Sequence, residues 1–181
     1  DIYAGHVREI YHDQTDSVAF VQHIASSNNV EIESYEVNNI DDNSTTVTEK
    51  ISFTRQLETD GEHIYLNPFF FIDEESPFTA ETRILPVEFG FPVSERYSYR
   101  ITLPEGYVVE ESPKSIALQM PNSDMIARVK ITMKGNDIII SYMFKRTAMI
   151  YNFDQYQYLR DFRAKLEAKF KEMVVLKKIA Q

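Results

Sequence analysis

The chain has 181 residues, 43% hydrophobic and 13% aromatic, with 11 Tyr, 12 Phe and no Trp, enough apolar area to bury a core and to exclude a disordered chain. Its 19 Lys and Arg against 28 Asp and Glu leave a net charge of −9, which repels phosphate backbones and anionic lipid, so no nucleic-acid partner is expected. The absence of cysteine excludes disulfides, thiolate zinc sites and a cysteine nucleophile.

Ile2 to Tyr11 mixes β-branched, aromatic and polar residues and reads as a strand, ended by Asp13-Gln14-Thr15-Asp16. Phe20 with Ile24 and Val21 with Ala25 stand at i,i+4, which predicts a helix of about three turns, capped at Ser17 and stopped at Asn28-Asn29. Val30 to Val37 alternates at period two, as does Thr45 to Leu57. The turn-rich stretch Asn38 to Ser44 joins them into a long hairpin. Asp60-Gly61 then predicts a turn from which His63-Ile64-Tyr65-Leu66 returns antiparallel.

Between residues 67 and 93, Pro68, Pro77, Pro86 and Pro92 occur among Phe69, Phe70, Phe71, Phe78, Phe89 and Phe91. No central strand tolerates that proline density. The segment reads as an extended crossing whose phenylalanines anchor it to a sheet face. Ser94 to Leu103 alternates again, placing Tyr97, Tyr99 and Ile101 on one face, and Pro104-Glu105-Gly106 turns the chain. Strands are expected over Ser115–Met120, Met125–Met133 and Ile138–Tyr151, the last two joined at Lys134-Gly135-Asn136-Asp137.

The last element changes period. Leu159, Phe162, Leu166, Phe170 and Met173 recur at steps of three and four, behind Asp154 as N-cap. Asp161 with Lys165 and Glu167 with Lys171 add i,i+4 pairs. The β-branched start of Val174-Val175-Leu176 predicts a final edge strand. The basic concentration from Arg160 to Lys178 has acids interleaved and reads as a solvated helix face. The fold class is therefore mainly β (α+β): antiparallel sheets or a β-sandwich, with a short N-terminal helix and one C-terminal amphipathic helix packed on a sheet. Residues 1–181 read as one region, or as two lobes, 1–66 and 67–181.

No constellation for chemistry emerges. His6, His12, His23 and His63 do not converge by spacing on a metal set, and no HExxH, GxSxG or glycine-rich phosphate loop occurs. Neither the oxygen-rich Asn38–Asn43 stretch nor Asp73-Glu74-Glu75 has the glycine and terminal glutamate of an EF-hand loop, and both read as turns or solvated loops. No catalytic residue, metal or cofactor is expected. The candidates for interaction are aromatic: Phe69, Phe70 and Phe71, and the Tyr97 and Tyr99 face. Both a glycan or peptide platform and ordinary cross-strand packing account for these rings. No run reaches the roughly 18 apolar residues of a membrane span. With no signal-peptide pattern at its start, the chain reads as a mature product or, better, an excised segment, since it opens directly into a strand-like pattern.

One pattern runs through the second half: Leu66-Asn67-Pro68-Phe69-Phe70, Pro77-Phe78, Arg83 with Pro86-Val87-Glu88-Phe89, Leu103-Pro104-Glu105-Gly106-Tyr107 and Pro113-Lys114. It closes on Tyr158 to Phe162 and Val174 to Lys178. Over residues 61 to 178 it resembles the C-terminal accessory domain of transglutaminase-like, papain-fold proteins of Bacteroides-type bacteria. The resemblance implies a Cys, His and Asp core elsewhere in the polypeptide and a periplasmic or cell-envelope location. It implies a noncatalytic role here, packing on that core or presenting substrate to it. The alternative is a self-standing β module that binds a glycan or a peptide; an independent hydrolase is the weakest reading.

Overall fold

The computed structural model describes residues 7–9, 14–42, 44–57, 59–72 and 75–179. The chain divides into two compact units, Asp1–Leu57 and Glu58–Gln181. The sequence reads as one region or as two lobes, 1–66 and 67–181; in the structure His63–Leu66 pairs with Val174–Lys178 of the second unit.

In the first unit, helix α1 spans Gln14–Asn28 and strands β1 (Glu31–Asn38) and β2 (Thr48–Thr54) form the expected antiparallel hairpin. The helix begins ahead of Ser17 and stops where the asparagines predict. Asn29 takes a left-handed φ of 50°, and the Val30 N–H closes on the Ala25 carbonyl at 3.1 Å, a Schellman-type ending. The Phe20 ring meets Tyr35 edge-on at 6.3 Å. Arg8 holds the hairpin loop, donating to the carbonyls of Ile40, Asp42 and Thr45 at 3.0, 2.8 and 2.9 Å. Of the strand expected over residues 2–11, the described part, 7–9, is helical; the rest lies outside the described residues.

The second unit contains a four-stranded antiparallel sheet, a three-stranded antiparallel sheet and a helix. Strands β3 (His63–Leu66) and β4 (Val87–Glu88) are short. Strands β5 (Val93–Thr102), β6 (Tyr107–Glu111), β7 (Ile116–Gln119), β8 (Met125–Lys134), β9 (Asp137–Arg146) and β10 (Ile150–Tyr151) follow, then helix α2 (Tyr156–Phe170) and β11 (Val174–Lys178). The large sheet runs β5-β9-β8-β7, and β4 pairs with β10. The expected strand over 138–151 is thus two strands in two sheets, broken after Arg146.

The small sheet runs β3-β11-β6. This corrects two expectations. Strand β3 pairs with the C-terminal β11 rather than with the preceding hairpin, and β11 is a central strand, not an edge. Its Val174 and Leu176 are fully buried, which a middle position demands. The turn into β6 has Gly106 at φ 80° and a bond from the Tyr107 N–H to the Pro104 carbonyl at 3.3 Å. That φ is the one glycine adopts without strain.

The core lies on one face of the large sheet. Alternation along β9 buries Ile138, Ile140, Tyr142, Phe144 and Arg146, while β8 contributes Met125, Ala127 and Val129. Helix α2 covers that face with Leu159, Phe162, Leu166 and Phe170. Phe170 meets Tyr142 edge-on at 5.1 Å and Phe162 lies 6.5 Å from Phe144. The helix is a lid, as its periodicity predicts, except that Met173 is exposed. Its start also differs. Asp154 sits inside a 3₁₀ turn, Phe153–Gln155, and the Gln155 side chain accepts from the Asn152 N–H at 3.0 Å. Glu167 and Lys171 form their pair at 2.6 Å, whereas Asp161 and Lys165 do not come within 4.0 Å. Lys169, assigned from sequence to a solvated face, is only 5% exposed.

Candidate functional site

The proline-rich segment from 67 to 92 is a strap fastened to both sheet and helix. Phe69 packs on Phe170 at 5.3 Å, and Phe78 stands edge-on to Tyr156 and Phe89. Phe89 in turn meets Tyr151 at 5.9 Å. The Tyr156 hydroxyl donates to the Ala80 carbonyl at 2.9 Å, and the Asn67 amide bridges to the Phe170 carbonyl at 2.8 Å.

Between strap, sheet and helix lies a cavity of about 370 Å³. Its sheet wall comes from Val93, Glu95 and Tyr97 of β5 and Tyr142, Phe144 and Arg146 of β9. Phe71, Ile72, Phe78 and Phe89 of the strap form a second wall, and Arg163 with Phe170 of α2 a third. The lining is ring-rich with three charged groups.

The charged groups are held differently. Arg146 is 4% exposed, donates from Nη1 to the Ala148 carbonyl at 2.8 Å, and lays its guanidinium 3.8 Å over the Phe89 ring. Glu95, half-buried, makes no ion pair within 4.0 Å among the described residues. Burial pushes its carboxyl above the usual range, against the opposing pull of Arg163 and Arg146. Burial likewise pushes the Tyr142 phenol up, with the Glu95 charge adding to it.

The five aromatic candidates divide. Phe69 and Phe70 are 4% and 8% exposed, so they serve the core rather than a surface. Tyr97 and Tyr99 share one strand face as predicted. Tyr97 stacks between Tyr99 at 6.3 Å and Tyr142 at 5.8 Å, and the Tyr99 hydroxyl donates to the Phe70 carbonyl. Burial raises the Tyr99 phenol far above its ordinary range. Of the five, Phe71 and Tyr97 line the cavity. Glu95 was not singled out in the sequence, although its i,i+2 relation to Tyr97 placed it on the same face.

Among the histidines, His6 and His12 lie outside the described residues. His63 stands 3.7 Å from Asp60 and 3.3 Å from Glu110. The Asp60 carboxylate is also occupied by the backbone N–H groups of Glu62 and His63, which hold it below the usual range. In the 38–43 stretch, the Asp42 carboxylate accepts from the backbone and hydroxyl of Ser44, a turn motif. No group of three or more potential metal ligands occurs among the described residues. Asp73 and Glu74 lie outside them.

The opposite face of the large sheet carries a feature that the linear sequence conceals. Arg96 and Arg100 of β5, Arg128, Lys130 and Lys134 of β8, and Lys145 of β9 all point away from the core and are exposed. Arg96 and Arg128 flank Met143 in one cross-strand row. Only Arg100 among them has a carboxylate within 4.0 Å among the described residues, Asp137 at 3.8 Å.

Residues 62–176 match the family described as a domain of unknown function with solved structure (DUF3858). This chain belongs to DUF3858. The match falls within the 61–178 stretch singled out in the sequence, and the cavity and the basic sheet face both lie inside it. Among solved structures the chain has a likeness to a putative protease from Parabacteroides distasonis ATCC 8503. The TM-score is 0.54 at 15% identity, over 65% of this chain and 24% of that one. At such identity the likeness shows the fold, and it spans only about a quarter of that chain. None of the curated proteins matches.

Proposed function

We propose that this DUF3858 chain is a noncatalytic accessory domain of a longer polypeptide, serving a transglutaminase-like or protease-like core that it packs against and to which it presents substrate. The observation that carries this reading is the pairing of family and neighbour: the fold recurs as a minor part of a putative protease. The absence of cysteine from all 181 residues is consistent with chemistry located elsewhere. For docking, the basic sheet face suits an acidic surface on the core. The cell envelope is the compartment this reading entails.

A second reading, a self-standing peptide- or glycan-binding module, draws on the ring-lined cavity. One experiment separates them. Mixing this chain with the separately produced remainder of its polypeptide, and following association by analytical ultracentrifugation, yields a complex that weakens with salt if the accessory reading holds. No association, together with peptide or glycan capture by this chain alone, establishes the second.

A further inference from the structure

We propose that the cavity between strap, sheet and helix binds the carboxylate end of a peptide whose terminal side chain is apolar or aromatic. This deepens the substrate-presenting role and rests on that reading.

Two guanidinium groups, Arg146 and Arg163, and one carboxylate, Glu95, line the cavity, which leaves one positive charge for a ligand to balance. A guanidinium is the side chain best shaped to hold a carboxylate, through paired N–H donors. Arg146 is preset for the task. Its Nη1 is fixed on the Ala148 carbonyl and its plane lies on Phe89, so little rotamer freedom remains to be lost when a ligand arrives. Arg163 approaches from the helix side, so an anion between the two would be held by walls of different elements.

The remaining lining selects what the carboxylate is attached to. Phe71, Phe78, Phe89 and Tyr97 offer apolar faces and edges to a side chain. A volume of about 370 Å³ accommodates one or two residues, not a folded partner. Glu95 sets a further condition. Its half-buried carboxylate beside the two arginines disfavours a ligand with a second negative charge, so a terminal Phe, Tyr, Leu or Met suits better than Asp or Glu.

The test uses the 181-residue chain, labelled with ¹⁵N, titrated with N-acetyl-phenylalanine and separately with its primary amide. The acid is expected to shift the amide resonances of Val93, Glu95 and Tyr97 and to bind about tenfold more tightly than the amide, whose lost charge removes the guanidinium pairing. Arg163→Gln, at a half-buried helix position, should reduce the advantage of the acid over the amide, with Arg146 retaining the rest, while leaving the unliganded spectrum dispersed. Equal affinity of acid and amide, or no shift at these residues with ligand at about 10 mM, overturns the proposal. Either result is independent of association with a core. Binding here without association in trans would retain the pocket and remove the accessory role, and the converse would do the opposite.

Discussion

The guanidinium of Arg146 lies 3.8 Å above the ring of Phe89, so the last residue of a central strand clasps a strap that crosses the sheet more than fifty positions earlier in sequence. Buried stacking of this kind is worth about 1 to 2 kcal/mol. Phe89→Leu and Arg146→Lys should each destabilise the chain in chemical denaturation, and the double variant should lose less than their sum, with a coupling of about 1 kcal/mol. Full additivity would mean that the contact contributes nothing.

The lid helix is expected to be the main source of stability in the second unit. Leu159 and Leu166 are fully buried beneath it, and truncation of either to alanine should cost about 2 to 5 kcal/mol through lost burial and the cavity left behind. Tyr158→Ala on the exposed side should change stability by less than about 0.5 kcal/mol. Urea denaturation of the three variants, followed by circular dichroism, makes the comparison.

Lys169 illustrates a contact that periodicity misassigns. Its ammonium donates to the Lys114 carbonyl at 2.9 Å and to Glu172 at 2.6 Å, tying the end of α2 to the segment before β7. Lys169→Ala should cost about 1.5 to 3 kcal/mol, the range for hydrogen bonds to charged groups. Lys165→Ala, one turn earlier and exposed, should be close to neutral. Thermal melts of both variants at one pH decide the point.

Glu95 gives a pH dependence of definite sign. Burial raises its folded-state pKa, so the folded chain holds this proton more tightly than the unfolded chain does. Its contribution to stability is full below the ordinary carboxylate range and is lost as pH rises through the raised folded value. Glu95→Gln removes this titration. The variant should melt above the parent chain near neutral pH, and the difference should shrink as pH falls toward about 4. A constant difference across that range would place the carboxyl in a water-like environment.

How much of this was legible in the sequence depends on the range of the interaction. The alternation at Ser94–Leu103 and the three-four spacing of Leu159, Phe162, Leu166 and Phe170 are local patterns, and both elements form as they predict. Pairing partners are not local. Nothing in His63–Leu66 says that its neighbour is Val174–Lys178, which comes more than a hundred residues later, so local pattern alone joins β3 to the preceding hairpin and leaves β11 at an edge. The basic sheet face was hidden for the same reason. Each strand contributes only one to three cations at period two, and the face emerges only when β5, β9 and β8 lie side by side. The cavity needed three elements at once. Phe71 and Tyr97 were identified as aromatic, but Glu95, Arg146 and Arg163 became a group only through folding.

The measurement closest to the central claim is kinetic. Under the proposed accessory role, the longer polypeptide should be compared with a form lacking residues 62–176, by turnover of peptide substrate and by thermal melting of the proposed catalytic core. A KM raised by about tenfold with kcat largely retained, or a core that melts at lower temperature, is expected for a part that positions substrate or supports its neighbour. Unchanged kcat, KM and Tm after the deletion would contradict it.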